Sequence, residues 1–265
     1  MKLAFSTLGV PGMPLAEVAG LAARTGYHGV ELRAHPEEPL NPGMELSERV
    51  DAAEQFKDAG VEILAVAGYT EAAAPGADEP VLAELRELLT LARDLGAPYL
   101  RVFPGGGDQP AEETDTVAAR RLAAVAPDAS DLGVRLLLET HDSHPRGVDV
   151  ARVLGLVGHI AVGAVWDVLH PWRGGEEPVA THAVLAPHLG YVQVKDIASA
   201  EEPAPLPLGE GVLPLAECVE ALSRAGWDGW LSWEYEKRWF PQAPELPGLL
   251  EPARDHLSWL LAQSA

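Results

Sequence analysis

The chain has 265 residues, 47% of them hydrophobic and 22% charged, which is usual for a globular protein with a substantial core. Its 19 basic and 40 acidic residues give a formal charge of −21, which argues against nucleic acid as a partner. There is no apolar run long enough for a membrane span, no secretory signal, and a single cysteine, Cys218; we therefore expect a cytoplasmic protein without membrane contacts or internal disulfides.

A repeated pattern runs along the chain: a helical stretch, a glycine, a few residues, and then an apolar run. Glycine suits the left-handed end of a helix, and apolar runs that alternate with helices are typical of parallel strands. In chain order, the pattern predicts strands at about residues 3–7, 29–33, 62–68, 99–103, 135–140, 162–168, 189–196 and 229–235. The helices are predicted to begin near Pro14, Leu46, Glu79, Thr114, Gly147, Pro178, Leu213 and Leu249.

The pattern gives eight strands in strict alternation with eight helices, or about 33 residues per strand–helix unit. Eight units of this size agree with a (β/α)8 barrel, which typically has about 250 residues. The predicted fold class is therefore α/β, with a single (β/α)8 TIM-barrel domain over residues 1–265. An open doubly wound sheet is the alternative. It usually has fewer strands, and the first βα turn here, STLGVPGMP, lacks the GxGxxG fingerprint of that fold.

Polar residues are concentrated at the carboxyl ends of the predicted strands, where a barrel carries its chemistry. The last four strands end in Glu139, Asp167, Gln193 and Glu234. Because adjacent strands lie about 4.8 Å apart, these groups can converge on one point. Three carboxylates and an amide oxygen suit Mn²⁺ or Mg²⁺, and a bound cation would relieve their mutual repulsion. For a single acidic strand end, solvation or an ion pair with arginine is the alternative.

From GVELR through LRVFPGG, LLLETHD, WDVLH and VQVKD to GWLSWEYEK, the chain resembles the xylose-isomerase-like superfamily of sugar isomerases and epimerases. That superfamily also includes inosose dehydratases, ketose 3-epimerases and apurinic/apyrimidinic endonucleases. The resemblance implies a metal held by Glu139, Asp167, Gln193 and Glu234. The endonuclease activity is disfavoured by the charge and by the absence of histidine from EILAVAGY and YLRVF.

Gln193 departs from the family pattern, in which His-x-Lys-Asp is common at this place. An amide oxygen can coordinate Mg²⁺ or Mn²⁺ but is a poorer ligand for zinc than imidazole. We therefore expect Mn²⁺ or Mg²⁺ ahead of Co²⁺ or Zn²⁺. The alternative is a glutamine that only forms hydrogen bonds in a degenerate site.

Further polar and aromatic residues near the strand ends are predicted to bind substrate. His141 follows Glu139 by two residues and Lys195 follows Gln193 by two, so each pair points the same way along an extended chain. The predicted substrate-binding residues are Arg101, His141, His170, Lys195, Glu31 and Trp172. Structural ion pairs are the alternative for Arg101 and Lys195. We expect Trp233 in the core and His144, His182, His188 and His256 at the surface.

The implied chemistry is proton abstraction next to a carbonyl, through a cis-enediolate, with Glu139 and Glu234 as the catalytic pair. The predicted protein is a divalent-metal-dependent isomerase or epimerase of carbohydrate metabolism. Its substrate would be a small sugar or cyclitol, free or phosphorylated, and the chain could form a homo-oligomer. One alternative is a lyase on the same barrel, either an inosose-type dehydratase or a C-glycoside-cleaving subunit. Another is a non-catalytic sugar-binding protein with a degenerate metal site.

Overall fold

The computed structural model describes residues 1–264 and shows a closed barrel of eight parallel strands. The strands are β1 (Lys2–Ser6), β2 (Gly29–Arg33), β3 (Glu62–Glu71), β4 (Tyr99–Phe103), β5 (Arg135–Glu139), β6 (Val162–Asp167), β7 (Leu189–Val194) and β8 (Trp230–Trp233). Each strand pairs with the next along the chain, and β8 closes the barrel on β1. The predicted (β/α)8 barrel is confirmed.

The helices surround the barrel and follow the strands in alternation. They are α1 (Leu15–Thr25), α2 (Leu46–Asp58), α3 (Asp78–Leu95), α4 (Ala111–Leu132), α5 (Gly147–Val157), α6 (Leu169–Arg173), α7 (Pro178–Leu185), α8 (Leu215–Arg224) and α9 (Leu250–Gln263). Four of them end at a glycine in the left-handed conformation, as the repeated pattern predicts. The short α6 was not predicted; it begins two residues after β6 and carries His170.

The strands separate two apolar regions. The larger one lies between the strands and the surrounding helices and includes Val192, Val194 and the fully buried Trp233, as expected for that tryptophan. The smaller one includes Tyr191, Leu137 and other buried residues from several strands of the barrel. Because side chains alternate along a strand, Tyr191 and Gln193 of β7 lie on the face opposite to Val192 and Val194. The barrel interior therefore continues from an apolar cluster to polar residues at the carboxyl ends of the strands.

Within residues 1–264, no helix combines the length and the apolar character needed to cross a membrane.

Candidate active site

A cavity of about 390 Å³ opens at the carboxyl ends of the strands. Its lining residues come from several strands and the loops that follow them: Leu8, Tyr69, Glu71, Arg101, Phe103, Glu139, His141, Asp142, Glu234, Glu236 and Trp239. Four of the predicted site residues, Arg101, Glu139, His141 and Glu234, are among them. The cavity lies where parallel barrels carry their active sites.

Gln193 is fully buried at the carboxyl end of β7. Its amide nitrogen lies 3.1 and 3.2 Å from the two carboxylate oxygens of Glu31, and it also donates to Glu234 at 3.1 Å. Its amide oxygen has no hydrogen-bond partner within residues 1–264. A buried amide oxygen without a partner is costly unless another group, such as a cation, binds it.

Lys195 connects the carboxylates that follow β6 and β8. Its Nζ atom lies 2.8 Å from Asp167 Oδ2, donates to Glu236 at 2.7 Å, and also donates to Glu234. Burial lowers the pKa of this ammonium group, but the three carboxylates outweigh burial and hold the pKa well above its usual value. Lys195 therefore stays charged and is engaged with three acids.

Arg101 forms ion pairs with Glu139 and Glu234, as Lys195 does with its three acids. Its Nε atom lies 3.0 Å from Glu139 Oε2, an Nη atom lies 3.7 Å from Glu234, and the other Nη atom donates to the carbonyl oxygen of Gly68 at 3.1 Å. Burial lowers the pKa of Arg101, but the surrounding carboxylates raise it above its usual value. The predicted catalytic pair, Glu139 and Glu234, thus flanks one guanidinium group.

Two of the buried carboxyl groups have raised pKa values. Burial raises the pKa of Glu139 to about 8, against the opposing effects of Arg101 and His141. Burial also raises the pKa of Glu31, against the opposing effect of Arg101. A carboxylate with a pKa near 8 is a stronger base than one exposed to water, which suits proton abstraction.

His141 and His170 lie beside Glu139, with their ring centroids 4.2 Å apart. One potential ligand atom from each of Glu139, His141 and His170 lies within 4.8 Å of the others, so this group could hold a metal ion. Burial places the pKa of His170 well below its usual value, whereas Asp142 and Glu139 raise that of His141 despite burial. The sequence predicted both histidines as substrate-binding residues and not as metal ligands.

The donors at the strand ends also suit a divalent cation. The buried side-chain oxygens that lack a hydrogen-bond partner within residues 1–264 include Glu139 Oε2, Asp167 Oδ2 and Gln193 Oε1. The first two lie within 3.0 Å of Arg101 and Lys195, respectively. Hard oxygen donors of this kind are those that Mg²⁺ and Mn²⁺ prefer.

Four of the six predicted substrate-binding residues are not among those that line the cavity: Glu31, His170, Lys195 and Trp172. Glu31 is completely buried against the amide nitrogen of Gln193. Trp172, in α6, is partly buried against the hydrophobic core between strands and helices. The aromatic wall of the cavity is formed instead by Tyr69, Phe103 and Trp239.

Sequence reasoning missed Tyr69, Glu71 and Phe103 as cavity residues. The predicted third strand ended at residue 68, whereas β3 continues to Glu71. Phe103 is the last residue of β4. A polar residue at a strand end, the signal that identified Arg101 in β4 and the polar residues of β5 to β8, would have found Glu71 had the end of β3 been placed correctly. That signal does not identify the apolar Phe103.

The prediction that His144 lies at the surface is wrong. Its side chain is fully buried, with Nε2 2.9 Å from Asp115 of α4 and Nδ1 2.9 Å from Ser143. Ser143 in turn accepts a hydrogen bond from the backbone N–H of Gly106 at 2.9 Å. The turn after β5 brings His144 against α4, an arrangement that the local sequence does not indicate.

The chain is similar to several known proteins over most of its length. A putative hydroxypyruvate isomerase of Streptomyces coelicolor is 28% identical over 94% of this chain and 91% of its own length. A 3-dehydroshikimate dehydratase of Bacillus anthracis is 24% identical over 70% of this chain and 67% of its own length. The crystal structure of the IOLI protein with a bound zinc atom superposes with a TM-score of 0.82, at 18% identity, and covers 100% of this chain and 99% of that one.

The family model described as the xylose isomerase-like TIM barrel matches residues 19–263, nearly the whole chain. The closed eight-stranded barrel and the cavity at its carboxyl end agree with that match. The chain belongs to the xylose isomerase-like TIM-barrel family.

Proposed function

We propose that this protein is a divalent-metal-dependent isomerase or epimerase of a small sugar or cyclitol. The observation that carries the proposal is the pair of buried carboxylates, Glu139 and Glu234, on either side of Arg101 in one cavity. The relative named as a putative hydroxypyruvate isomerase supports this reaction class, because such an isomerisation moves a proton between carbons next to a carbonyl.

In the proposed reaction, Glu139 removes a proton from the carbon next to the substrate carbonyl, leaving an enediolate. Glu234 returns a proton, to the neighbouring carbon in an isomerisation or to the opposite face of the same carbon in an epimerisation. Both carboxylates line the cavity and lie near the guanidinium group of Arg101, so a substrate in the cavity would meet both. The charge of Lys195 stabilises the negative oxygen that develops as the proton leaves.

The residues that would hold the metal are Glu139, Asp167, Gln193 and Glu234. Three of them, Glu139, Asp167 and Gln193, have a buried side-chain oxygen without a hydrogen-bond partner within residues 1–264, and carboxylate and amide oxygens are hard donors that suit such an ion. When bound, the ion would supply Lewis-acid chemistry and fix the orientation of two adjacent substrate oxygens. Binding of Mn²⁺ or Mg²⁺ is expected ahead of Zn²⁺ because the amide of Gln193 takes the place of an imidazole.

Solvent deuterium uptake tests the proposed reaction. The purified protein is incubated in D₂O with Mn²⁺ and a panel of ketoses, inososes and hydroxypyruvate, and deuterium incorporation into carbon is followed by NMR. Wild-type protein is expected to label at least one compound, and Glu139→Gln and Glu234→Gln are each expected to slow labelling by at least about 100-fold. Glu84→Gln, which changes an exposed residue of α3, is the control. Undiminished labelling in both active-site variants would refute the proposal.

A dehydratase is the second candidate function. It is favoured by the match to 3-dehydroshikimate dehydratase and by the buried His170 next to Glu139. Glu139 would remove a proton from the carbon next to the carbonyl, and His170 would pass that proton to the hydroxyl on the following carbon, which leaves as water. The same D₂O experiment separates the two functions. A dehydratase would produce an unsaturated product with lower mass by one water, whereas an isomerase or epimerase conserves the mass of the substrate.

A further inference from the structure

We propose that Glu31 is a positioning residue that fixes the orientation of the Gln193 side chain. Its carboxylate holds the amide nitrogen of Gln193, and the amide oxygen is thereby left to bind the divalent cation. This inference rests on the metal site of the proposed function. It gives a role to a completely buried acid that does not line the cavity.

Glu31 and Gln193 come from strands that are not neighbours in the sheet. Glu31 lies in β2 and Gln193 lies in β7, 162 residues later, and β8 and β1 separate these two strands in the closed barrel. Both side chains are fully buried, so they meet in the barrel interior. The contact therefore depends on the closure of the barrel and not on pairing between adjacent strands.

The amide nitrogen of Gln193 is fully used in hydrogen bonds to acids. It lies 3.2 and 3.1 Å from the two oxygens of Glu31 and 3.1 Å from Oε1 of Glu234. Because an amide nitrogen carries two hydrogens, one can be shared by the oxygens of Glu31 while the other is donated to Glu234. The amide oxygen of Gln193 is left without a partner within residues 1–264.

The reversed orientation of this amide is disfavoured by charge. An ionised carboxylate only accepts hydrogen bonds, so a rotation of the amide by 180° would set the oxygen of Gln193 against the oxygens of Glu31 and Glu234. A glutamine among neutral groups could take either orientation. Here the two acids select the orientation in which the nitrogen faces them and the oxygen is directed away from Glu31.

The contacts of Glu31 favour this role over an ion pair or a substrate contact. Arg101 forms its ion pairs with Glu139 and Glu234 and none with Glu31. A buried carboxylate without an ion pair lowers stability unless hydrogen bonds satisfy it. The hydrogen bonds from Gln193 reach both oxygens of Glu31. Glu234 is also a proposed cation ligand and catalytic residue, whereas Glu31 has neither task.

The carboxyl end of β7 can therefore hold only certain side chains. A side chain there must donate a hydrogen bond to Glu31 and offer a lone pair to the cation. Amide and imidazole groups both combine a donor with an acceptor, whereas an ionised carboxylate has acceptors only. A glutamate in place of Gln193 would add a charged ligand but would set its oxygens against those of Glu31. Exchange of the two side chains would again place a donor opposite an acceptor.

This exchange tests the proposal. Mn²⁺ affinity is measured by calorimetry for Glu31→Gln, for Gln193→Glu and for the double variant, whose net charge equals that of the wild type. We expect each single substitution to weaken binding by at least about tenfold and the double variant to stay within about threefold of the wild type. A role through charge alone predicts tighter binding by Gln193→Glu, because a carboxylate is added beside the cation. Tighter binding by Gln193→Glu, unchanged binding by Glu31→Gln, or a double variant no tighter than the single ones would each overturn the proposal.

A second background separates orientation from electrostatic attraction. Gln193→Leu has no amide to orient, so the addition of Glu31→Gln should change its Mn²⁺ affinity by less than about threefold. An equal loss in both backgrounds would mean that Glu31 acts only through its charge. Glu84→Gln, at an exposed residue of α3, is the control, and urea unfolding in metal-free buffer shows whether each variant is folded. If Glu31→Gln does not fold, Glu31→Asp takes its place, since aspartate keeps the acceptor oxygens but draws them back from the amide.

These measurements use no substrate, so the role of Glu31 and the proposed reaction can fail separately. If the wild type binds Mn²⁺ and the variants behave as expected, but no compound takes up deuterium, the proposed reaction fails and the role of Glu31 stands. If the wild type binds neither Mn²⁺ nor Mg²⁺, the metal dependence of the proposed function and the role of Glu31 fail together.

Discussion

Two polar clusters lie at the same end of the barrel and differ in how completely their groups are paired. We call Arg101, Glu139, Asp167, Gln193, Lys195 and Glu234 the central cluster, and Asp115, Ser143, His144, Asp149 and Arg152 the α4–α5 brace. In the brace, Asp115 binds His144 at 2.9 Å and Arg152 through both carboxylate oxygens, and Arg152 also donates to Asp149. In the central cluster, oxygens of Glu139, Asp167 and Gln193 lack hydrogen-bond partners within residues 1–264.

This difference in pairing distinguishes a network that stabilises the fold from one that is arranged to bind a ligand. A buried network stabilises a fold when every member is satisfied, and each unsatisfied group lowers stability. The brace joins the loops after β4 and β5 to α4 and α5 and leaves no buried side-chain atom of its members unpaired. Of the central cluster, Arg101, Glu139 and Glu234 line the cavity, and Arg101 Nε and Glu139 Oε2 are among its atoms without a hydrogen-bond partner within residues 1–264.

Replacement of Arg101 in the central cluster should lower the free energy of unfolding more than the other substitutions below. Arg101→Met leaves Glu139, Glu234 and Glu31 buried without their shared cation, so we expect the free energy of unfolding to fall by about 3–5 kcal/mol in metal-free buffer. Urea unfolding of the wild type and the variant measures the change. Arg101→Lys, which keeps the charge but loses the planar geometry, is the matched control and should lose less. A fall of less than about 1 kcal/mol in Arg101→Met would show that the arginine is not what holds these carboxylates.

Loss of a charge in the α4–α5 brace should lower the stability of the protein without a large change in its activity. Asp115→Asn weakens the charge-assisted hydrogen bonds to His144 and Arg152, and we expect the free energy of unfolding to fall by about 2 kcal/mol. Because Asp115 does not line the cavity, deuterium exchange by the folded variant should stay within about threefold of the wild type. Loss of exchange without loss of stability would mean that the brace takes part in the chemistry and would erase the distinction between the two clusters.

Much of the barrel follows from local patterns. The strands from β1 to β8 were predicted within about three residues at each end, because apolar runs and the glycines that end helices are properties of short segments. The acids at the ends of β5 to β8 were found in the same way, since a closed parallel barrel brings consecutive strand ends together. Trp233 was assigned to the core from the alternation of side chains along β8.

Pairing between side chains from distant segments could be predicted only in part. Ion pairs were the stated alternative for Lys195 and Arg101, and the structure shows them. The bond of Lys195 to Asp167 of β6 and the contact of His144 with an acid of α4, 29 residues earlier in the chain, were not predicted. Both depend on the geometry of loops after the strands, for which a single sequence offers no periodic signal. The position of Trp172 against the core follows from the unpredicted helix α6, which turns that side chain away from the cavity.

Two variants of Gln193 test which residues of the central cluster bind metal. If the amide oxygen is a ligand, Gln193→Leu should weaken Mn²⁺ binding by at least about tenfold, an amount of about 1.4 kcal/mol. Gln193→His should retain binding and shift the preference toward Zn²⁺ and Co²⁺, because imidazole suits borderline metals. Calorimetry with each ion measures both effects. Wild-type Mn²⁺ affinity in Gln193→Leu, combined with its loss in His141→Ala and His170→Ala, would assign the ion to Glu139, His141 and His170 instead.

The smallest expected effect is a pH dependence that arises in the brace. Burial lowers the pKa of His144 below its ordinary value of 6.5; Arg152 acts in the same direction, while Asp115 and Asp149 oppose it. The unfolded chain therefore takes up the proton more readily, so the stability contributed by neutral His144 is complete above about pH 6.5 and is lost as the pH falls below that value.

His144→Gln removes this titration while its amide can still reach Asp115, so it isolates the contribution of the imidazole. Between pH 7.5 and 5.5, the free energy of unfolding should fall more steeply in the wild type than in His144→Gln, by at most about 1.4 kcal/mol per pH unit. Urea unfolding at several pH values measures both slopes. Equal slopes would mean that His144 carries the same proton affinity in the folded and unfolded chains. His144 would then take up a proton as readily as an exposed histidine. The complete burial of its side chain and the hydrogen bonds of both ring nitrogens argue against this result.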